Sequence, residues 1–251
     1  MLPLKFLAIL LNVPLVLFAT VIFGANAATY LNKTRVVMSQ HDEEVTFSVI
    51  NTDDKPALIQ LWIDDDKLHT RPEEIKSSFV IIPPIFKLGS KETRTVLVKR
   101  IGDYVESKQK VESLYWLNVL EVPPIVTPFE KRNEIQMAIR TRVKLFYRPG
   151  LNGEHKIDES IEMLKYEITD CQSNKCLKLY NNSPIHLTFL KVKTNGSNIY
   201  DKLPNDGLIN PFSTMEVQLK KGVKVNEFEI YWIDDFGVIN ITKNDVVDVQ
   251  P

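Results

Sequence analysis

The sequence predicts an all-β protein built from two β-sandwich domains. Short β-branched and aromatic runs recur along most of the chain, separated by turn residues. No stretch carries a long 3.6-residue apolar period. One turn-forming cluster, Pro149-Gly150-Leu151-Asn152-Gly153, leaves about 120 residues before it and about 100 after it, each the size of one sandwich.

Composition narrows the function classes. The chain has 251 residues, 44% hydrophobic and 25% charged, which are globular values. Lys+Arg 31 against Asp+Glu 32 gives a net charge of −1, so no basic excess points to nucleic acid. Two Cys and four His are too few and too scattered for a zinc cluster.

Residues 1–27 differ from the rest. Lys5 is their only charge, an apolar stretch follows, and Ala25-Asn26-Ala27 ends it with small residues. This is the pattern of a secretory signal peptide cleaved after Ala27. A retained membrane anchor is the alternative, since ~18 apolar residues nearly span a bilayer. Pro14 and the small-residue end favour cleavage. Export places the mature chain where disulfides persist.

Strands are expected over residues 45–50, 57–63, 79–82, 94–99, 114–122 and 134–148, with Arg35 opening the first strand of the mature chain. Asn51-Thr52-Asp53-Asp54-Lys55-Pro56 reads as the turn of a hairpin between the first two runs. Pro83-Pro84 and Pro123-Pro124 stop two others. Beyond the boundary, strands are expected over 177–180, 185–192, 215–219 and 228–233. Cys171 and Cys176 have neither a CxxC spacing nor a nearby His, which favours a structural disulfide over a redox pair or metal clip.

Nothing in the chain resembles catalytic machinery. GxSxG, HExxH and phosphate-binding glycine loops are absent from the sequence. His41, His69, His155 and His186 are isolated and read as surface or turn residues. Asp64-Asp65-Asp66 lacks calcium-loop spacing and reads as a solvated strand end. No enzyme activity and no cofactor are expected.

One strand stands out. Side chains alternate faces, so residues 135–148 present Ile135, Met137, Ile139, Thr141, Val143, Leu145 and Tyr147 on one face. The other face carries Arg140, Arg142, Lys144 and Arg148. Fourteen extended residues span on the order of 45 Å, more than one domain's core covers. The surplus is either covered by loops or offered to a partner as an edge strand.

The ordered segments resemble the PapD-like periplasmic pilus chaperones of the chaperone–usher pathway. They are Leu31-Asn32-Lys33-Thr34-Arg35-Val36, Leu58-Ile59-Gln60-Leu61-Trp62, and Ile82-Pro83-Pro84-Ile85-Phe86. Then come Leu114-Tyr115-Trp116-Leu117-Asn118-Val119, Glu121-Val122-Pro123-Pro124, and Arg140-Thr141-Arg142-Val143-Lys144-Leu145-Phe146-Tyr147-Arg148-Pro149. In the second half they are Asn182-Ser183-Pro184, Asn210-Pro211-Phe212-Ser213 and Asp234-Asp235-Phe236-Gly237.

The resemblance implies two immunoglobulin-like domains, residues 28–148 and 152–251, set in an L around a cleft. It implies that Arg35 and Lys144 grip the C-terminal carboxylate of a pilin subunit. It implies that Ile135, Met137 and Ile139 fill the groove a pilin leaves open for want of a last strand. Glu112, Arg148 and Asp235 would form an interdomain charge network. The implied partners are one pilin subunit per chaperone and an outer-membrane usher, with no nucleic acid. A self-capping dimer of the free protein stays an open alternative. The loop after Pro123 is short and lacks cysteine, as in the subfamily associated with rod-like pili. A secreted or membrane-anchored immunoglobulin-like adhesin or receptor module is the competing expectation.

Overall fold

Alternating apolar residues build the first half of the chain into a two-sheet sandwich. A computed structural model describes residues 29–101, 110–124, 137–148, 156–171 and 174–246. Its first strands are β1 (Thr29–Leu31), β2 (Arg35–Ser39), β3 (Glu44–Asn51), β4 (Ala57–Asp64) and β5 (Phe79–Ile82). Next come β6 (Ile85–Leu88), β7 (Thr93–Arg100), β8 (Ser113–Val122) and β9 (Ile139–Arg148). They form one sheet in the order β1-β3-β7-β5 and a second in the order β2-β9-β8-β4-β6. Phe47, Val49, Val96 and Val98 of the first sheet meet Ile59, Leu61, Leu117, Val119 and Leu145 of the second, all buried.

The expected hairpin between the first two runs does not form. β3 pairs with β1 and β7, whereas β4 pairs with β6 and β8. The turn crosses between sheets because Asn51 is buried there. Its amide donates to the carbonyls of Lys55 (2.9 Å) and Gly89 (2.8 Å), and its Oδ1 accepts from the Asp53 N–H at 2.8 Å. Two corrections concern charge and order. Asp64 is 1% exposed rather than solvated, and a short strand, β1, precedes the one that Arg35 opens.

The strand expected over 134–148 begins, within the described residues, at Ile139. Ile139 pairs with Glu121, and β8 then ends at Val122 before Pro123-Pro124. Prolines donate no ladder hydrogen bond, so Met137 and Ala138 have no strand partner on that side among the described residues. Ile135 lies outside the described residues, as do residues 1–27, most of the loop after Pro123, and the boundary cluster from Pro149 to Gly153.

A second sandwich follows. A short helix, α1 (Ile157–Glu162), leads into β10 (Lys165–Cys171), β11 (Asn174–Tyr180), β12 (Leu187–Thr194), β13 (Asn198–Tyr200) and β14 (Leu208–Ile209). β15 (Thr214–Gln218), β16 (Glu227–Ile233) and β17 (Ile239–Asp245) complete it. One sheet runs β10-β11-β15; the other runs β13-β12-β16-β17, with β14 on β12. Leu177, Leu179, Phe189, Val217, Phe228, Ile230 and Trp232 fill the core between them. α1 went unread in the sequence because six residues are too few to display a period. It buries only Ile157, Ser160 and Ile161. Cys171 and Cys176 are joined by a disulfide that ties β10 to β11, with Cα atoms 5.8 Å apart.

Candidate functional site

The site is built where β2 meets β9. These two strands run parallel, and the register sets Arg35 opposite Lys144. Arg35 is 6% exposed. Its guanidinium lies 5.7 Å from the centre of the Phe146 ring, and Nη1 donates to the Ile233 carbonyl of the second domain at 3.2 Å. Its Nε–H is buried with no hydrogen-bond partner among the described residues. Lys144 is half-buried, its Nζ 5.9 Å from the centre of the Trp116 ring.

Burial disfavours both charges. It pushes the Arg35 guanidinium below its ordinary value, against the pull of Asp235, Glu112 and Asp234. Burial, and then the neighbouring Arg35, push the Lys144 ammonium below 10.5, against Asp206. Two desolvated cations held by adjacent strands make a site that favours an anion. A planar guanidinium beside an ammonium suits a carboxylate.

Directly behind this pair, the two domains are pinned together. Arg148, at the end of β9, donates Nε to Glu112 at 2.5 Å. Its Nη1 and Nη2 each donate to an Asp235 carboxylate oxygen at 2.7 Å. Burial opposes the Arg148 charge, but the bonds and charges of Asp235 and Glu112 outweigh it and raise its pKa. The structure thus brings Glu112, Arg148 and Asp235 together across the domain interface.

The sequence reading missed a fourth member. His186 is buried, with Nδ1 2.8 Å from the second Glu112 oxygen, and its backbone N–H donates to the same oxygen at 2.9 Å. It was expected at the surface or in a turn; it sits at a turn, but a buried one. Its neighbour Pro184 accepts the Glu112 backbone N–H at 2.9 Å. The turn that presents both is fastened by Asn181, whose amide donates to the Ile185 carbonyl (2.7 Å) and whose Oδ1 accepts from Ser183. The Asn182-Ser183-Pro184 motif marked this turn in the sequence, but nothing there linked His186 to Glu112. The His186 ring centre also lies 5.5 Å from that of Phe146, next to the cation pair.

Asp235 reaches Arg148 from the β16–β17 turn. Asp234 shapes that turn by accepting from the N–H groups of Phe236 (2.9 Å) and Val238 (2.8 Å). Gly237 has φ +86, and a Cβ there would stand 2.3 Å from Thr34 Oγ1 of the first domain. Only glycine satisfies both constraints.

The apolar face of β9 divides into two parts. Val143, Leu145 and Tyr147 are buried in the first core. Ile139 is 51% exposed and Met137 71%. β2 covers one edge of β9 only from Lys144 to Arg148. Among the described residues, no strand lies on that edge from Ile139 to Val143.

Comparison with known proteins settles the lineage. Residues 28–151 match the family model described as the pili and flagellar-assembly chaperone, PapD N-terminal domain. Residues 160–243 match that of the pili assembly chaperone PapD, C-terminal domain. The chain belongs to the PapD-like pilus chaperones of the chaperone–usher pathway. This chaperone is 34% identical over 211 residues to the chaperone protein LpfB of Salmonella typhimurium, covering 82% of this chain and 84% of that one. It is 32% identical over 217 residues to the chaperone protein FimB/FhaD of Bordetella pertussis, covering 85% and 86%. The crystal structure of the Pseudomonas aeruginosa CupB2 chaperone superposes with a TM-score of 0.69 at 26% identity, over 87% of this chain and 100% of that one. The fold is accordingly two immunoglobulin-like β-sandwich domains in the arrangement of the PapD-type chaperones.

Proposed function

We propose that this pilus chaperone works in the periplasm, exported by residues 1–27, and captures one pilin subunit by strand donation. Arg35 and Lys144 hold the subunit's C-terminal carboxylate. Ile135, Met137 and Ile139 enter its open groove, and the domains, taken as residues 28–148 and 152–251, keep their angle through Glu112, Arg148 and Asp235. The complex then passes to an outer-membrane usher. The work is binding, without covalent chemistry or a cofactor.

One observation supports this reading most. The uncovered edge of β9 stops at the residue where the cation pair begins. A client strand whose carboxylate sits on Arg35 and Lys144 therefore lies along the bare edge and runs parallel to β9. Ile139 lies five residue steps before Lys144, about 17 Å at ~3.3 Å per step. The client's last few residues thus form a hydrogen-bonded ladder while Ile139 and Met137 enter its core. Burial of those two side chains contributes about 3–6 kcal/mol before ordering costs. Without a client, a second copy can cover the same edge.

Met137→Asp places a charge in the client's groove. It is expected to weaken subunit stabilisation, read as loss of pilin co-purifying from periplasmic extracts and identified by mass spectrometry. A wild-type chain that captures no pilin would sink the whole reading. Normal pilin recovery with Met137→Asp would sink strand donation alone.

Alkaline pH separates binding from stability. The free chain's Lys144 has a lowered pKa, so it loses its proton below the ordinary 10.5. Pilin affinity is expected to fall as pH rises through that lowered value, with proton uptake on binding in the same window. The same shift acts oppositely on folding, because the unfolded chain then holds more protons on this group. Its contribution to stability rises between the folded value and 10.5. Calorimetric titration with pilin across this range checks the first sign, and thermal unfolding of the wild type against Lys144→Met, which should lose this pH dependence of stability, checks the second.

A further inference from the structure

The bare end of β9 is braced on its polar face. Asp64, at the end of β4, is 1% exposed. Its Oδ1 accepts from Arg142 Nη2 (2.9 Å) and from the backbone N–H groups of Asp66 (2.9 Å) and Lys67 (3.1 Å). Its Oδ2 accepts from Asn118 Nδ2 (2.8 Å) and Arg140 Nη2 (3.2 Å). Asn118, fully buried on β8, accepts on its Oδ1 from Arg140 Nε (2.9 Å) and Nη2 (2.7 Å) and from Arg142 Nε (3.1 Å). Arg140 Nη1 reaches the Leu68 carbonyl at 2.7 Å. The two guanidinium groups stack on Trp62 and Trp116, at 4.8 and 4.5 Å from the ring centres.

Arg140 and Arg142 alternate with Ile139, Thr141 and Val143 along the edge that β2 leaves uncovered. The network therefore grips one face of this segment and leaves Ile139 and the client-facing edge free. A half-paired strand end frays unless something holds it, and holding it in advance lowers the entropy lost when a partner pairs with it.

We propose that Asp64 is a positioning residue for the donated strand: with Asn118 it clamps Arg140 and Arg142, so that the segment from Ile139 to Val143 is extended before a client arrives. This rests on the strand-donation reading. Asp64 touches no client; it acts through the two arginines. Among the described residues, its buried carboxylate is the one anion that both arginines share.

Hydrogen–deuterium exchange on the full free chain tests the brace, and affinity for the pilin that co-purifies with the wild-type chain tests its use. In Asp64→Asn, exchange within residues 139–142 and 66–68 is expected to quicken at least about tenfold, while 144–147 stays protected. Pilin affinity is expected to fall about tenfold, the scale of one newly ordered residue. Arg142→Gln, which leaves no buried carboxylate without a donor, serves if Asp64→Asn folds poorly, and is expected to act in the same direction. Because both variants open one clamp, the double variant is expected to be no weaker than the weaker single. Unchanged exchange in 139–142 overturns the brace while leaving strand donation standing. Faster exchange with undiminished affinity, or additive losses in the double variant, overturns the positioning role. A wild-type chain without pilin capture removes strand donation and this role with it, whereas the exchange arm still judges the brace.

Discussion

Arg35→Ala and Lys144→Ala are each expected to abolish pilin capture while leaving the chaperone folded. Truncating one partner of a desolvated, hydrogen-bonded charge pair costs about 2–5 kcal/mol, some 30-fold to several thousand-fold in affinity. The loss is large because the two cations are already partly desolvated in the free protein. Burial lowers the pKa of both, so their cost falls on the folded chain and not on the binding step. For the same reason, neither alanine variant is expected to lower the unfolding midpoint appreciably. Lys144→Ala removes a charge with no ion-pair partner among the described residues and relieves its repulsion of Arg35. Titration of each variant with purified pilin, alongside thermal unfolding, checks both halves. Wild-type affinity in the double variant would falsify the carboxylate role. A collapse in midpoint would make the pair structural instead.

Arg148→Ala is expected to produce the largest stability loss of any single substitution at the interface. It leaves Glu112, whose side chain is 0% exposed, without its cation. Removing one partner of a buried pair costs about 3–5 kcal/mol. For a chain of this size that is roughly 6–20 °C in Tm. Asp235→Asn is expected to cost much less, since Asp235 is 24% exposed and water can replace part of its role. The interface variants also differ in kind from core variants. They are expected to split one unfolding transition into two, because each sandwich keeps its own core. Differential scanning calorimetry reads both the shift and the split. A single transition within a degree of wild type would show that the network does not couple the domains.

Parts of the site were legible because their chemistry is local. Met137 and Ile139 alternate with Arg140 and Arg142, and no tertiary information is needed to see that one face is apolar and the other cationic. Arg35 and Lys144 were singled out through the segments that resemble the pilus chaperones. Asp64 was read as solvated, and His186 as a surface or turn residue with no partner. Each is an ordinary polar residue in sequence, and each is buried because its partners come from afar: Glu112 for His186, and Asn118, Arg140 and Arg142 for Asp64.

Alternation by itself determined that the chain is predominantly β, and which face of most strands would be apolar. Side-chain period is a property of neighbours along the backbone, so it can be read without knowing the fold. Strand partnership is not such a property. Phe47 and Val49 present the same pattern whether β3 pairs beside β4 or faces it across a core, and only the assembled sandwich chose the second. Likewise, only assembly decided that β2 would stop covering β9 at Lys144, leaving the edge from Ile139 to Val143 without a strand among the described residues, beside two partly desolvated cations. The physical reason is common to both. Hydrogen-bond pairing and desolvation are set by groups distant in sequence, and a linear pattern carries no record of which distant groups will arrive.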